Sequence, residues 1–120
     1  MAKRIYPALR KANRGIPIYA TSHVSNGIQT PGSNINLEGL IYTEIPSLLQ
    51  SNATILDRYP RIYAMGYDAV NLALKVTSNE TIDDRSSSVG KTGKLSFNTN
   101  GKIARQLRLA IFKNGIAVPF

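Results

Sequence analysis

Between residues 3 and 13 the apolar positions Ile5, Leu9 and Ala12 recur at helical spacing with bases on the other side. The pattern predicts a short surface helix, with Pro7 in or near its first turn and Gly15 as a C-terminal cap. Ile16-Pro17-Ile18-Tyr19-Ala20 is a brief apolar run between Gly15 and Thr21-Ser22, which fits a buried strand. Residues 21–36 are rich in Ser, Asn, Gly, Thr and Pro without a period, so a long loop is expected there. A second extended run, residues 40–45, stops at Pro46, and Ser47-Leu48-Leu49-Gln50 reads as one helical turn.

The strongest period lies between Tyr59 and Val76. Ile62, Met65, Ala69, Leu72 and Val76 form one stripe, and Tyr59, Tyr63 and Tyr67 repeat every four residues beside it. This predicts a long, well-buried helix whose tyrosines pack against neighbouring elements, in preference to a stacking platform for bases. Residues 77–92 are polar and Ser-rich, and beyond them the period changes to alternation. Leu95-Ser96-Phe97 and Ile103-Ala104-Arg105 flank an Asn100-Gly101 pair, and residues 107–112 lead into Asn114-Gly115. Both pairs are hairpin signals, because their backbone conformations match strand twist. Helix, strand, strand, long helix and hairpins make a mixed α/β unit.

Charge changes the picture more than composition does. At 42% hydrophobic and 18% charged residues over 120, the chain can build one globular core. No apolar run approaches the roughly 20 residues of a bilayer-spanning helix. The net charge of +8 is concentrated at the ends: residues 1–14 hold five bases and no acid, residues 15–57 no base and three acids, residues 85–120 seven bases and no acid. Such a balance invites a nucleic-acid reading, because phosphate neutralisation with counterion release gives sequence-independent affinity. The bases are spread over an amphipathic helix and alternating strands with no DNA- or RNA-binding motif, so the reading adopted is an exposed basic surface and no nucleic-acid partner.

Catalytic chemistry finds few handles. Cysteine is absent, which removes thiolate nucleophiles and Cys-based zinc sites. Gly90-Lys91-Thr92 resembles the end of a phosphate-binding loop, but Arg85 stands where that motif needs glycine, and the run leads into a strand where such a loop opens a helix. The single histidine, His23, sits beside Ser22, and adjacent residues rarely hold a nucleophile and base in hydrogen-bonding geometry. No cofactor, metal or catalytic residue is assigned, and an enzyme is not expected.

Several blocks in order carry a family resemblance. Ile16-Pro17-Ile18-Tyr19-Ala20-Thr21-Ser22, Asn36-Leu37-Glu38-Gly39-Leu40 and Glu44-Ile45-Pro46-Ser47-Leu48-Leu49 resemble consecutive blocks of the LppC-type bacterial outer-membrane lipoproteins, activators of a bifunctional penicillin-binding protein. Arg61-Ile62-Tyr63-Ala64-Met65-Gly66-Tyr67-Asp68-Ala69 resembles that family's long helix, and Gly90-Lys91-Thr92-Gly93-Lys94-Leu95-Ser96-Phe97 its following hairpin. These last two blocks also resemble the wider type I periplasmic-binding-protein superfamily. One departure is Leu107-Arg108-Leu109-Ala110, where the family's penultimate strand tends to carry an aromatic residue after the leucine.

The resemblance implies an α/β fold: part of a type I periplasmic-binding-protein-like lobe, with parallel strands, a long packed helix and a C-terminal antiparallel hairpin meander. Ile18 and Ile41 should then lie in neighbouring parallel strands, with Tyr63 at least half buried. It implies that residues 1–120 are a single α/β unit, the C-terminal part of a larger periplasmic lipoprotein held at the outer membrane by a lipid anchor that this chain lacks. The implied role is a non-enzymatic interaction module of a peptidoglycan synthase activator, its partner a penicillin-binding protein. Candidate contacts are Thr21, Ser22, His23 and Ile28 in the long loop and the strand bases Arg105 and Arg108. The alternative is a fragment of a small-ligand receptor, with the hydroxyls of Thr21, Ser22 and Tyr42 facing a cleft. An unpaired parallel edge would favour self-association.

Overall fold

The computed structural model describes residues 1–25, 27, 30, 32–50, 59–78, 88–97 and 102–120. The chain forms two compact units, Met1–Glu44 with Arg108–Phe120, and Ile45–Leu107.

The first unit opens with helix α1, Ala2–Ala12. It ends at Asn13, whose N–H donates to Leu9 O (3.0 Å), so the helix stops two residues before Gly15 and does not use it as a left-handed cap. Pro7 is the sixth residue of the helix and lies beyond its first turn. Tyr6 is the buried residue of α1, and its hydroxyl donates to Glu38 O (2.9 Å). Strand β1, Tyr19–Ala20, runs parallel to β2, Ile41–Glu44, with Tyr19 opposite Ile41 and Ala20 opposite Tyr42. The Ile41 N–H donates to Ile18 O (3.1 Å), so the expected neighbourhood of Ile18 and Ile41 is present.

On its other side β2 pairs antiparallel with β6, Arg108–Lys113, which pairs antiparallel with β7, Ile116–Pro119. The order β1-β2-β6-β7 makes a mixed sheet with β2 and β6 at its centre. Tyr42 faces Ala110 in register, and the small alanine leaves room for Phe112, two residues on, to stack on the Tyr42 ring at 4.9 Å between centroids and 12° between planes. Leu37, Leu40, Ile41, Ala110, Phe112 and Ala117 complete the buried set. The β6–β7 hairpin turns through Asn114 (φ 53°) and Gly115 (φ 74°), the conformation its Asn-Gly pair predicts.

The second unit contains a 3-10 turn, Pro46–Leu49, helix α2, Pro60–Thr77, and the antiparallel sheet β3-β4-β5: Ser88–Gly90, Gly93–Phe97 and Ile103–Gln106. The hairpin β4–β5 was expected; β3 has no period-2 signal and was not. The turn at residues 98–101 lies outside the described residues. The two hairpins of the C-terminal third therefore belong to different sheets, with Leu107 between them.

Helix α2 has the expected length and a different buried face. Ala64 and Asp68 point inward, while Ile62, Met65 and Val76 of the predicted stripe are exposed. Tyr63 is 54% exposed, short of the half burial expected. The physical reason is the neighbour: Ala64 packs with Ile45 and Leu48, and this side of the helix must also meet the polar N–H groups of a hairpin turn, which an aliphatic stripe cannot satisfy.

Phe112→Ala should remove the stack on Tyr42 and leave a cavity in a fully buried position. A loss of about 3–5 kcal/mol is expected. Urea denaturation followed by circular dichroism should show a markedly lower midpoint, and a midpoint shifted by less than the equivalent of about 1 kcal/mol would contradict this account of the sheet.

Candidate partner-contact site

Parallel strands that end at one edge of a sheet deliver the following loops to that edge, where α/β proteins commonly present binding groups. In the first unit, Thr21 follows β1 directly, and residues 22–24 form a 3-10 turn. Val24 N–H donates to Thr21 O and Ser25 N–H to Ser22 O (both 3.2 Å). The buried Ser25 Oγ accepts from Gly27 N–H (3.1 Å), and Gly27 has φ 79°, a conformation that favours glycine. Thr21 and His23 are exposed and Ser22 half-buried. Arg108, exposed at the start of β6, stands opposite Glu44 at the carboxyl end of β2. Thr21, Ser22, His23 and Arg108 thus share the end of the sheet where β1 and β2 finish. Ile28 lies outside the described residues.

Tyr42, the cleft candidate, is 1% exposed and its ring is committed to the stack on Phe112. Arg105 belongs to the second unit, exposed on β5 opposite Leu95. Among the described residues, no group of three or more His, Cys, Asp or Glu is arranged to hold a metal ion.

The most specific polar arrangement in the second unit was not found from the sequence. Asp68 on α2 is 3% exposed. Its Oδ1 accepts from Lys91 N–H (2.8 Å), and its Oδ2 accepts from Thr92 N–H (2.8 Å) and from the Thr92 hydroxyl. Burial pushes the carboxyl up, but the bonds from the Thr92 hydroxyl, Thr92 N–H and Lys91 N–H, with the Arg105 charge, outweigh it and hold Asp68 below the usual aspartate value. At Gly90 a Cβ would stand about 2.5 Å from Asp68 Oδ2, so a glycine is needed for the carboxylate to approach. The Lys91 ammonium lies over the Tyr67 ring at 4.8 Å and the Tyr63 ring at 5.6 Å from the centroids.

Gly90-Lys91-Thr92 therefore does present N–H groups to an anion, as its likeness to a phosphate loop hints, and that anion is the chain's own Asp68. The signal available in the sequence was the pair of blocks around Tyr67-Asp68-Ala69 and Gly90-Lys91-Thr92-Gly93, but a spacing of 23 residues between Asp68 and Lys91 shows no partnership until the chain is folded.

The family model described as "LppC putative lipoprotein" matches residues 1–115. The chain belongs to the LppC lipoprotein family. Penicillin-binding protein activator LpoA of Klebsiella pneumoniae is 31% identical over 123 residues, covering 93% of this chain and 17% of that protein. The chain thus spans about a sixth of the length of the curated relatives it matches. The C-domain of LpoA from Haemophilus influenzae, a regulator of PBP1A, superposes with a TM-score of 0.72 at 22% identity, over 98% of this chain and 41% of that one. A branched-chain amino acid ABC transporter protein of Chromobacterium violaceum superposes with a TM-score of 0.68 at 23% identity, over 91% of this chain and 39% of that one. The expected family and the expected α/β fold are both borne out.

The Asp68 contacts set a pH dependence. A carboxyl whose folded-state value is depressed contributes its full stability above the unfolded value of about 3.9, and loses it as pH falls through the folded value. Asp68→Asn replaces an acceptor oxygen by a donor facing N–H and O–H donors, and should cost about 1–3 kcal/mol at neutral pH. The difference between the two proteins should shrink as the pH is lowered below about 4, read as thermal midpoints across a pH series. Equal stability at pH 7 would contradict the role given to Asp68.

Proposed function

We propose that this chain is part of an LppC-family periplasmic lipoprotein, anchored at the outer membrane, that binds and stimulates a bifunctional penicillin-binding protein. The observation that carries the reading is the 31% identity over 93% of the chain to a protein named as a penicillin-binding protein activator. Two further observations support it: the family match over residues 1–115 and the fold shared with a domain described as a regulator of PBP1A. On this reading residues 1–120 are a segment of the longer protein's C-terminal domain, and its contribution is non-catalytic.

The chemistry of the site agrees with a binding role. His23 is an exposed loop residue beside Ser22, and the Asp68 carboxylate is buried and accepts from three internal donors, which commits it to holding the β3–β4 turn. A module of this kind raises another enzyme's rate only by preferring its active conformation, so affinity and stimulation must be linked. The receptor alternative rests on fold likeness alone, and its hydroxyl at Tyr42 is taken up in core packing.

The reading is tested with the full-length lipoprotein that carries this sequence and a bifunctional penicillin-binding protein from the same bacterium. Peptidoglycan polymerisation and crosslinking should rise on addition of the folded protein, with no hydrolase or transferase activity from the lipoprotein alone. Charge reversal of exposed Arg108 should weaken the complex by roughly tenfold while leaving the thermal midpoint within a few degrees, and adding reversal of Arg105, whose charge favours ionised Asp68, should weaken it further with a lower midpoint. Absence of both binding and stimulation would remove the activator reading; stimulation untouched by the two reversals would move the contact elsewhere.

A further inference from the structure

Helix α1 carries more than its attachment to the first unit requires. At about 100° per residue, Tyr6 points inward, while Ile5, Ala8, Leu9 and Ala12 share one flank. All four are exposed, Ile5 at 43% and Leu9 at 45%. Arg4 and Lys11, also exposed, border this apolar strip on its solvent side. Arg10, Lys11 and Arg14 line a groove between α1 and residues 35–38, with the exposed Glu38 as the one acid in the same lining. In the sequence of this unit seven bases, Lys3, Arg4, Arg10, Lys11, Arg14, Arg108 and Lys113, face two acids. One of those acids, Glu44, is buried at 1% exposure, and the other, Glu38, accepts from Gly115 N–H (3.4 Å).

We propose that α1 and its bordering bases form a docking surface for an anionic phospholipid bilayer. The inference is independent of the activator reading and places a membrane contact within this chain itself. Two features have to be matched together. A soluble polyanion or an acidic peptide would satisfy the bases and leave the strip of Ile5 and Leu9 in water. An apolar partner would cover the strip and leave the bases unpaired. The headgroup and acyl boundary of an anionic bilayer offers negative charge and apolar depth in one plane, the arrangement an amphipathic basic helix fits when it lies parallel to the surface. The strip is about 100° wide, enough for shallow insertion along the helix, and the long stems of Arg4 and Lys11 can reach the headgroups beside it.

The test is co-sedimentation of the 120-residue chain with vesicles of phosphatidylglycerol and phosphatidylcholine, with pure phosphatidylcholine as the neutral control and soluble polyglutamate as the non-lipid polyanion. Binding to the anionic vesicles should exceed binding to neutral ones by at least about tenfold, and fall steeply as salt rises from about 0.05 to 0.5 M. Lys11→Glu with Arg14→Glu, and separately Ile5→Asp with Leu9→Asp, should each lower the partition by about tenfold or more, with circular dichroism confirming that the variants fold. The comparison of lipids and salts needs no variant, so it decides even where a substitution perturbs folding. No preference for anionic vesicles overturns the proposal. Sensitivity to the charge reversals alone, together with equal binding to polyglutamate, also overturns it, in favour of a polyanion surface.

Discussion

A carboxylate taken out of water must recover its hydration from fixed donors, and the second unit is organised around meeting that demand at Asp68. Three donors from two consecutive residues converge on it, which is possible only because the β3–β4 turn brings Lys91 and Thr92 N–H to the same side. That geometry requires a residue without a side chain at Gly90, and it turns Thr92 fully inward. It also fixes which face of α2 is buried: Ala64, one turn before Asp68, must follow it inward, and the flanks bearing Ile62, Met65, Tyr63 and Tyr67 are left outside. The position of Lys91 over the two tyrosine rings is a consequence of the same turn.

The first unit solves a different problem. A central strand with both faces covered has to match its neighbours in size as well as register, and β2 does so through Tyr42, Ala110 and Phe112. The ladder is extended past the strand by Gly39 N–H donating to Phe112 O (2.9 Å) and Phe112 N–H to Leu40 O (3.2 Å), which ties the segment before β2 to β6. Tyr6 joins α1 to the same segment through Glu38 O. The residues left at the carboxyl end of the parallel pair, Thr21, His23 and Arg108, are consequently held by a well-packed sheet while their side chains stay exposed.

Exposed polar and basic groups beside a well-packed sheet give the chain surfaces suited to contact, while the buried carboxylate, bonded to three internal donors, is committed to structure. Membership of the LppC family and likeness to proteins named as activators and regulators agree with that division of labour. The chain's excess of base is then a property of its surfaces, where it biases the sign of any partner without specifying one.

What the sequence determined by itself was local. The period of residues 59–76, the Asn114-Gly115 turn, the two apolar runs that became β1 and β2, and the ordered blocks of the LppC family could all be read because each depends on neighbours within a few residues. What only the tertiary structure decided was which faces are buried and which distant residues meet. The periodicity of α2 defines stripes but carries no information about what lies opposite them, so the aliphatic stripe was a sound first choice for the core and the hairpin's N–H groups overruled it. The partnership of Asp68 with Lys91 and Thr92, and the commitment of the Tyr42 ring to Phe112, arise between elements separated in sequence by loops and crossovers. Local propensity has no term for such contacts; the energy of a buried charge or a stacked ring is set by its surroundings, and those exist only after folding.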